Sequence, residues 1–369
     1  MVVDTFLFAY VLGIVPALLI GGPLSDRLGR RPLMIHRAVH RGRRFTGAGD
    51  GAGLGGGWLI VGRVLSGVAL GLGMAVGGSW LKELSAPDRD PAARPGAGAR
   101  RAAMSLTAGF GIGAGVAGIL AQWAPWPSAL AYLVHSALSL AAGLALLRAP
   151  ETRPAVPKNE RRSLARDLKI PAVGHRRFLY VVAPVAPWVF GAAASAYAVM
   201  PALMTGRSGS APVAFSALLC MIGLGSGFAI QAVGRRIDTP SNARAVAVAL
   251  AVLVLGMSVA AVASNVLTVP MSMIAAAILG CGYGLALVSG LQEIQRIAGP
   301  DDLAGLTAVF YSLSYLGFAV PAVMAMIAES TTSLTYPMMF VFGAVVAAAS
   351  LVLVLVKWRR HLPEVSERG

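Results

Sequence analysis

Apolar residues come in long blocks along this chain, separated by short polar ones. A block of about 20 predominantly apolar residues is the length an α-helix needs to cross a bilayer. The pattern predicts ten such spans, over roughly 4–24, 58–81, 103–123, 127–148, 178–204, 211–234, 244–264, 268–291, 305–328 and 336–357. The polar connections sort by charge. Basic residues fill 82–101 (Lys82, Arg89, Arg94, Arg100, Arg101), 148–177, the turn with Arg235, Arg236 and Arg244, the turn at Arg296, and the tail with Lys357, Arg359 and Arg360. The alternate connections near 123–127, 264–270 and 329–336 hold no Lys or Arg, and 204–211 holds only Arg207. This alternation predicts that the basic connections face the cytoplasm and orients every span from residue 58 onward.

The segment 148–177 is the longest polar stretch that separates two groups of spans. It carries Arg161, Arg162, Arg166, Lys169, Arg176 and Arg177, with Pro154, Pro157 and Pro171. It reads as a cytoplasmic linker. The predicted organisation is an N-terminal helical bundle over 1–147, the linker over 148–177, a six-span bundle over 178–357 and a cytoplasmic tail over 358–369.

Composition agrees with a membrane protein. The 369 residues are 56% hydrophobic and 13% charged, where a soluble domain carries about 25% charge. The mean hydropathy is +0.71. The fold class expected is an all-α polytopic membrane protein. A net charge of +15 would suggest nucleic acid in a soluble chain, but here the charge sits in connections, without the aromatic interleaving of a strand-binding groove. No nucleic-acid partner is expected. Cys220 and Cys281 both lie inside spans and read as small apolar fillers. No phosphate loop, Cys/His ligand spacing or nucleophile elbow occurs, so no ATP-driven step, metal, cofactor or enzymatic activity is expected. The chain enters its first apolar run without a basic stretch, so no cleavable signal peptide is expected.

The most specific signal follows the first span. Gly22, Leu24, Asp26, Arg27, Gly29, Arg30 and Arg31 make the pattern G-x-L-x-D-R-x-G-R-R. This closely resembles the signature of the major facilitator superfamily, found between that family's second and third helices. Pro150-Glu151-Thr152 likewise resembles a short signature seen where many members leave helix 6. The resemblance implies two six-helix bundles joined by a long cytoplasmic loop, with a substrate site between them. It implies a multi-pass plasma-membrane transporter of small organic solutes, working as a monomer. It also implies that Asp26 is part of a conformational gate, beside the start of the family's helix 11 near residues 302–307. The family's first helix is not expected among these residues.

The family's third helix should lie between Arg31 and Arg63. The residues there are unsuited to lipid. Arg37, Arg41, Arg43 and Arg44 precede a glycine-rich stretch reaching Gly57, and each arginine at a helix centre costs about 2.5–3.5 kcal/mol to insert. Yet the flanking spans should both end inside, so some segment must cross back between them. A frameshifted read of an apolar helix, restored before Trp58, and a specialised basic loop are the two readings of 35–57. The first makes the chain a non-transporting relative of a transporter.

Within the spans, Arg63 begins an R-x-x-x-G pattern ending at Gly67, which resembles the family's helix 4 coupling motif. An ionisable group in a span is a functional candidate, or else a guanidinium snorkelling to the headgroups. Asp4 is its nearby acidic candidate, and His135 is the histidine inside a span that could relay protons. Gly109, Gly113 and Gly118 match part of an antiporter signature that lacks its proline here (Ala114). They also suit close helix packing. In the second half no charge lies deep in a span, and Gln231 and Glu293 sit toward the cytoplasmic ends. Trp188, Phe190, Tyr197, Tyr311 and Tyr315 are candidates to line an apolar cavity, or are ordinary packing. Such a cavity suits hydrophobic or amphipathic compounds better than sugars. The resulting expectation is proton-coupled efflux of such compounds.

Overall fold

The computed structural model describes residues 2–35, 56–93, 97–157, 170–239, 241–298 and 302–357. Every regular element among them is helical. The chain divides into two compact units, Val2–Lys169 and Ile170–Gly369, here called the N-unit and the C-unit. The questioned stretch 36–55, most of the linker (158–169) and the tail 358–369 lie outside the described residues.

In the N-unit, α1 spans Val2–Leu28 and is followed by a short helix, α2, over 30–35. α3 runs from Gly56–Leu72 through a π-helical stretch Gly73–Gly77 into Gly78–Leu84. α4 is Ala97–Trp123 and α5 is Leu130–Leu146. α1 and α3 pack along their lengths, and glycine makes this possible. A Cβ on Gly13 would lie 2.0 Å from the Val64 carbonyl oxygen, and one on Gly67 would lie 2.1 Å from that of Tyr10. Backbones this close leave no room for a side chain, which is how helices pack tightly in lipid. Gly13 meets Val64 while Gly71, further along, meets Ile14 and Ala17, so α1 and α3 run parallel. The parity argument from the sequence therefore applies to these two helices in the fold. Trp123 and Trp126 are both exposed at the end away from the basic connections, where aromatic anchors sit at a membrane interface.

In the C-unit, α6 comprises Phe178–Val182, Ala183–Ala194, Ser195–Val199 and Met200–Leu203, with π-helical first and third parts. α7 is Pro212–Ile237, α8 is Arg244–Val266 and α9 is Val269–Ile297. α10 has two parts, Leu303–Leu316 and Ala319–Ser330, and α11 is Tyr336–Lys357. α7 and α9 repeat the glycine contact of α1 and α3. A Cβ on Gly280 would lie 2.1 Å from the Gly223 carbonyl oxygen, and one on Gly284 would lie 1.9 Å from that of Gly227. The contacts advance together along both helices, so these two are parallel as well.

Nine of the described helices are long and apolar enough to cross a membrane, and Leu130–Leu146 is a shorter apolar helix. Together they account for the ten predicted spans. The largest boundary differences are at charged ends. α9 continues to Ile297, beyond the expected end at 291, because the charges of Glu293 and Arg296 are paired inside the fold. α10 breaks at Gly317 and Phe318, where tighter bonds run from the Gly317 N–H to Ser314 and from the Phe318 N–H to Tyr315.

Candidate functional site

The G-x-L-x-D-R-x-G-R-R motif forms a turn between α1 and α2. Gly29 ends α1 with its N–H donating to the Ser25 carbonyl at 2.9 Å and φ at +95°. That left-handed conformation is the usual way a helix stops, and glycine adopts it without a Cβ penalty. Glycine is needed here twice over, because a Cβ would also lie 2.8 Å from a Glu151 carboxylate oxygen.

Glu151 is the acceptor at the head of α2. Its Oε2 takes the Arg31 N–H at 2.9 Å, and its Oε1 takes the Arg30 N–H at 3.0 Å. Oε1 also accepts the N–H groups of Thr152 at 2.9 Å and Arg153 at 3.0 Å. The first N–H groups of a helix have no partner within it and carry partial positive charge. One carboxylate satisfies two of them here. Burial alone would raise the Glu151 pKa, but the four backbone donors outweigh it and hold the carboxyl below its ordinary value.

Arg30, only 5% exposed, is the centre of the charge cluster. Its guanidinium reaches the Glu83 carboxylate, with NH2 to Oε1 at 2.8 Å and Nε to Oε2 at 3.3 Å. The same NH2 lies 2.8 Å from Asp26 Oδ1, and NH1 donates to the Ser25 hydroxyl. Burial opposes the Arg30 charge, yet the bonds to Glu83 and the field of Asp26 more than compensate and raise its pKa. Glu83 also accepts the Thr152 hydroxyl, and the Arg153 guanidinium lies 3.5 Å from Asp26. Beneath the charges, Leu33 and Met34 of α2 pack on Val76 and Trp80 of α3, flanked by Leu24, Leu28, Leu72, Leu84, Leu146 and Ala149. The apolar face of α2 thus fixes the turn, and the turn presents the charges.

Of the predicted gate residues, Asp26, Gly29, Arg30 and Arg31 are brought together. Arg31 donates from its guanidinium to the Leu147 carbonyl, and Arg27 accepts on its carbonyl from the Val156 N–H at 3.0 Å. At Gly22 nothing lies within 4 Å of a Cβ position. Arg63 is exposed near the opposite end of α3 from Glu83, Asp4 is in the first turns of α1, and His135 is half-buried in α5, 3.4 Å from the Ser139 hydroxyl. Among the described residues nothing approaches the Cβ positions of Gly109 and Gly113 within 4 Å, while Gly118 is buried.

A second charge cluster lies in the C-unit. Arg177, just before α6, makes a two-pronged bond to Glu293 of α9, with Nε to Oε2 at 2.6 Å and NH2 to Oε1 at 3.0 Å. Both side chains are buried, at 0% and 1% exposure. Glu293 also accepts from Arg296 at 2.7 Å, and Arg296 continues to Asp238 after α7. Sequence reasoning placed Glu293 at a span end but missed its partners. A signal was present: Gly234-Arg235-Arg236 repeats Gly29-Arg30-Arg31 after a parallel, glycine-packed helix.

The aromatic candidates of the C-unit separate into two kinds. Phe190 and Tyr315 are buried and stacked at 4.4 Å, with Phe318 on Phe190 at 4.9 Å and Tyr283 at 6.1 Å. Trp188, Tyr197 and Tyr311 are half-buried, and Tyr197 lies 6.4 Å from Phe318. The stack sits at the α10 break, where a Cβ on Gly317 would lie 2.3 Å from the Pro187 carbonyl and from the Gly191 nitrogen.

Among solved structures, the chain is similar to a POT family transporter bound to 5-aminolevulinic acid, with a TM-score of 0.70 and 13% identity over 98% of this chain and 88% of that one. It is similar to the nucleoside transporter NupG, with a TM-score of 0.69 and 11% identity over 96% and 90%. It is also similar to the human organic anion transporter MFSD10 (TETRAN), with a TM-score of 0.65 and 17% identity over 95% and 83%. No curated protein sequence matches the chain. At these identities the structures speak for the fold. The sequence profile of the Major Facilitator Superfamily matches residues 2–322, and with the turn of Asp26 and Arg30 in place, the chain belongs to that superfamily of membrane transporters.

Proposed function

We propose that the protein is built as a secondary active exporter of small hydrophobic or amphipathic solutes in the plasma membrane, driven by protons. The basic connections, the linker and the tail face the cytoplasm in this reading. The observation that carries the transport reading is the assembled α1–α2 turn, in which Arg30 joins Asp26 to Glu83. Ion pairs that can be exchanged between conformations suit the rocking of two bundles around a midplane site. Asp26 is the exchangeable member, because its side chain is 43% exposed. The substrate class rests on the C-unit. Its half-buried Trp188, Tyr197 and Tyr311 offer ring faces and few hydrogen-bonding groups. Arg63 is the residue proposed for proton coupling, with Asp4 and His135 as further candidates.

The test is efflux of a lipophilic dye from proteoliposomes carrying an imposed pH gradient. Saturable efflux that stops with a protonophore supports the reading. A planar guanidinium is not replaced by an ammonium at a specific site, so Arg63→Lys should uncouple efflux from the gradient. Full coupling in that variant removes Arg63 from the mechanism.

One observation favours a second reading, in which this chain does not transport. Arg37, Arg41, Arg43 and Arg44 fall where an apolar span is needed between parallel α1 and α3. The same assay on the chain as written, beside a version with an apolar helix in place of 36–55, separates the readings. Efflux by the unaltered chain rejects the second.

A further inference from the structure

The linker between the units begins as part of the N-unit's charge cluster. Residues 150–156 follow the surface of the α1–α2 turn and bond to it at almost every step. The Pro150 carbonyl accepts the Trp80 indole N–H at 3.1 Å. Glu151 takes the α2 N–H groups, the Thr152 hydroxyl donates to Glu83, and the Arg153 guanidinium lies 3.5 Å from Asp26. The Val156 N–H closes the segment on the Arg27 carbonyl. Both carboxylates that hold Arg30 therefore touch this segment too.

We infer that residues 150–156 form a strap that closes the α1–α2 turn, with Glu151 as the positioning residue that seats Arg30 on Glu83. The argument is one of geometry. Arg30 and Arg31 are the first residues of α2, and Glu151 holds both of their N–H groups on one carboxylate. Fixing those two N–H groups sets the direction in which the Arg30 side chain leaves the backbone. Without the carboxylate, two buried donors lose their partner, and α2 loses the anion at its positive end. The Gly29 requirement is independent support, since the glycine is what lets the carboxylate approach. The strap therefore opens whenever the turn rearranges, and the turn cannot rearrange while the strap is seated. This role goes beyond transport itself and is read without measuring it.

The experiment uses the full chain in freeze–thawed membranes, open on both faces, with Cys220 and Cys281 replaced by alanine. A single cysteine replaces Leu33, which is buried in α2 under the strap, and its maleimide labelling rate is measured. A separate chain carries Ser289→Cys, buried in the C-unit, to report general unfolding. Glu151→Ala should speed labelling at 33 by about tenfold, the scale expected on losing a helix cap, and leave 289 unchanged. Gly29→Ala should do the same, and the double variant should be no faster than either single one. Glu151→Gln, which keeps the oxygen that serves three of the four N–H groups, should recover part of the protection. Glu151→Met, which keeps the bulk but no acceptor, should recover none. Equal protection by Met and Gln would reduce Glu151 to packing and overturn the inference. So would an unchanged rate in Glu151→Ala. Should the alanine variant not reach the membrane, the Gln and Met pair gives the same decision.

Discussion

The two charge clusters are built alike and seated differently. In each, a parallel helix pair packed on glycine ends in Gly-Arg-Arg, and a glutamate near the end of the partner helix receives an arginine. In the N-unit the acceptor is Glu83 of α3, and in the C-unit it is Glu293 of α9. The N-unit cluster is open to solvent at its edges, with Asp26 at 43%, Glu83 at 31% and Arg153 at 54% exposure. The C-unit pair of Arg177 and Glu293 is sealed. Exposed ion pairs contribute about 0–1 kcal/mol, whereas breaking a buried one by removing a single partner costs about 3–5 kcal/mol. The same parts therefore make a switchable contact in one unit and a fixed one in the other.

The largest effect should come from breaking the sealed pair. Glu293→Ala leaves the Arg177 guanidinium buried with its main acceptor gone, and should destabilise the C-unit by about 3–5 kcal/mol. Thermal unfolding in detergent, with labelling of Ser289→Cys as a local probe, measures it. Replacing the pair together, Arg177→Met with Glu293→Leu, should recover most of the loss, because no orphaned charge remains. A Glu293→Ala protein as stable as the parent would erase the contrast drawn here.

The glycine contacts should test what the units share. Gly13→Ala meets a carbonyl oxygen at 2.0 Å and Gly284→Ala meets one at 1.9 Å. Each should force its helix pair apart and cost about 1–3 kcal/mol, by overpacking. The prediction is equality. A large loss at one site with none at the other would mean that the two pairs are alike only in outline.

Asp26→Asn should be mild for stability and severe for function. Its exposure limits the stability loss to under about 1 kcal/mol. In a version with an apolar helix in place of 36–55, the same change should cut dye efflux severalfold at unchanged membrane yield. Unchanged efflux at equal yield would falsify the assignment of Asp26 as the exchangeable partner.

How far the sequence led differs between the clusters for a physical reason. The N-unit turn is contiguous, so Gly29, Arg30 and Arg31 are legible as a motif. Their acceptors are not contiguous with them. Glu83 lies among basic residues and Glu151 sits in a separate short signature, and no periodicity joins positions 30, 83 and 151. The C-unit pair joins 177 to 293 across three helices, and its charges looked like span ends. Hydropathy reads a charge as a boundary, whereas a paired and buried charge lets α9 continue to Ile297. The spans themselves were legible because lipid demands length and apolarity regardless of packing. The glycines show the limit. Gly109 and Gly113 suggested a packing face by spacing alone, while the close backbone contacts lie at Gly13, Gly67, Gly280 and Gly284. Spacing gives a face, and only a partner helix tells what the face meets.

The smallest effect, and the sharpest test of the open cluster, is its response to acid. Glu151 has a pKa held below the ordinary glutamate value by the backbone N–H groups it accepts. A carboxyl whose folded pKa is depressed contributes stability that is fully present above the unfolded value, near 4.3, and is lost as pH falls through the folded value. Arg30 has a raised pKa and stays charged throughout, so it adds no slope in this range. Asp26 and Glu83 also face the turn, which is why the comparison must be with Glu151→Gln rather than with the parent at another pH. The Gln variant carries the neighbours but not the titration of Glu151. Labelling at Leu33→Cys should differ between the two by a constant factor from pH 8 to pH 5. Below about pH 4.3 the factor should shrink toward one, as the parent's carboxyl takes up its proton and comes to resemble the carboxamide. A factor that changes between pH 8 and pH 6 would make the strap itself a sensor of physiological pH, and the N-unit cluster would then be switched by protons directly and not by exchange of Asp26.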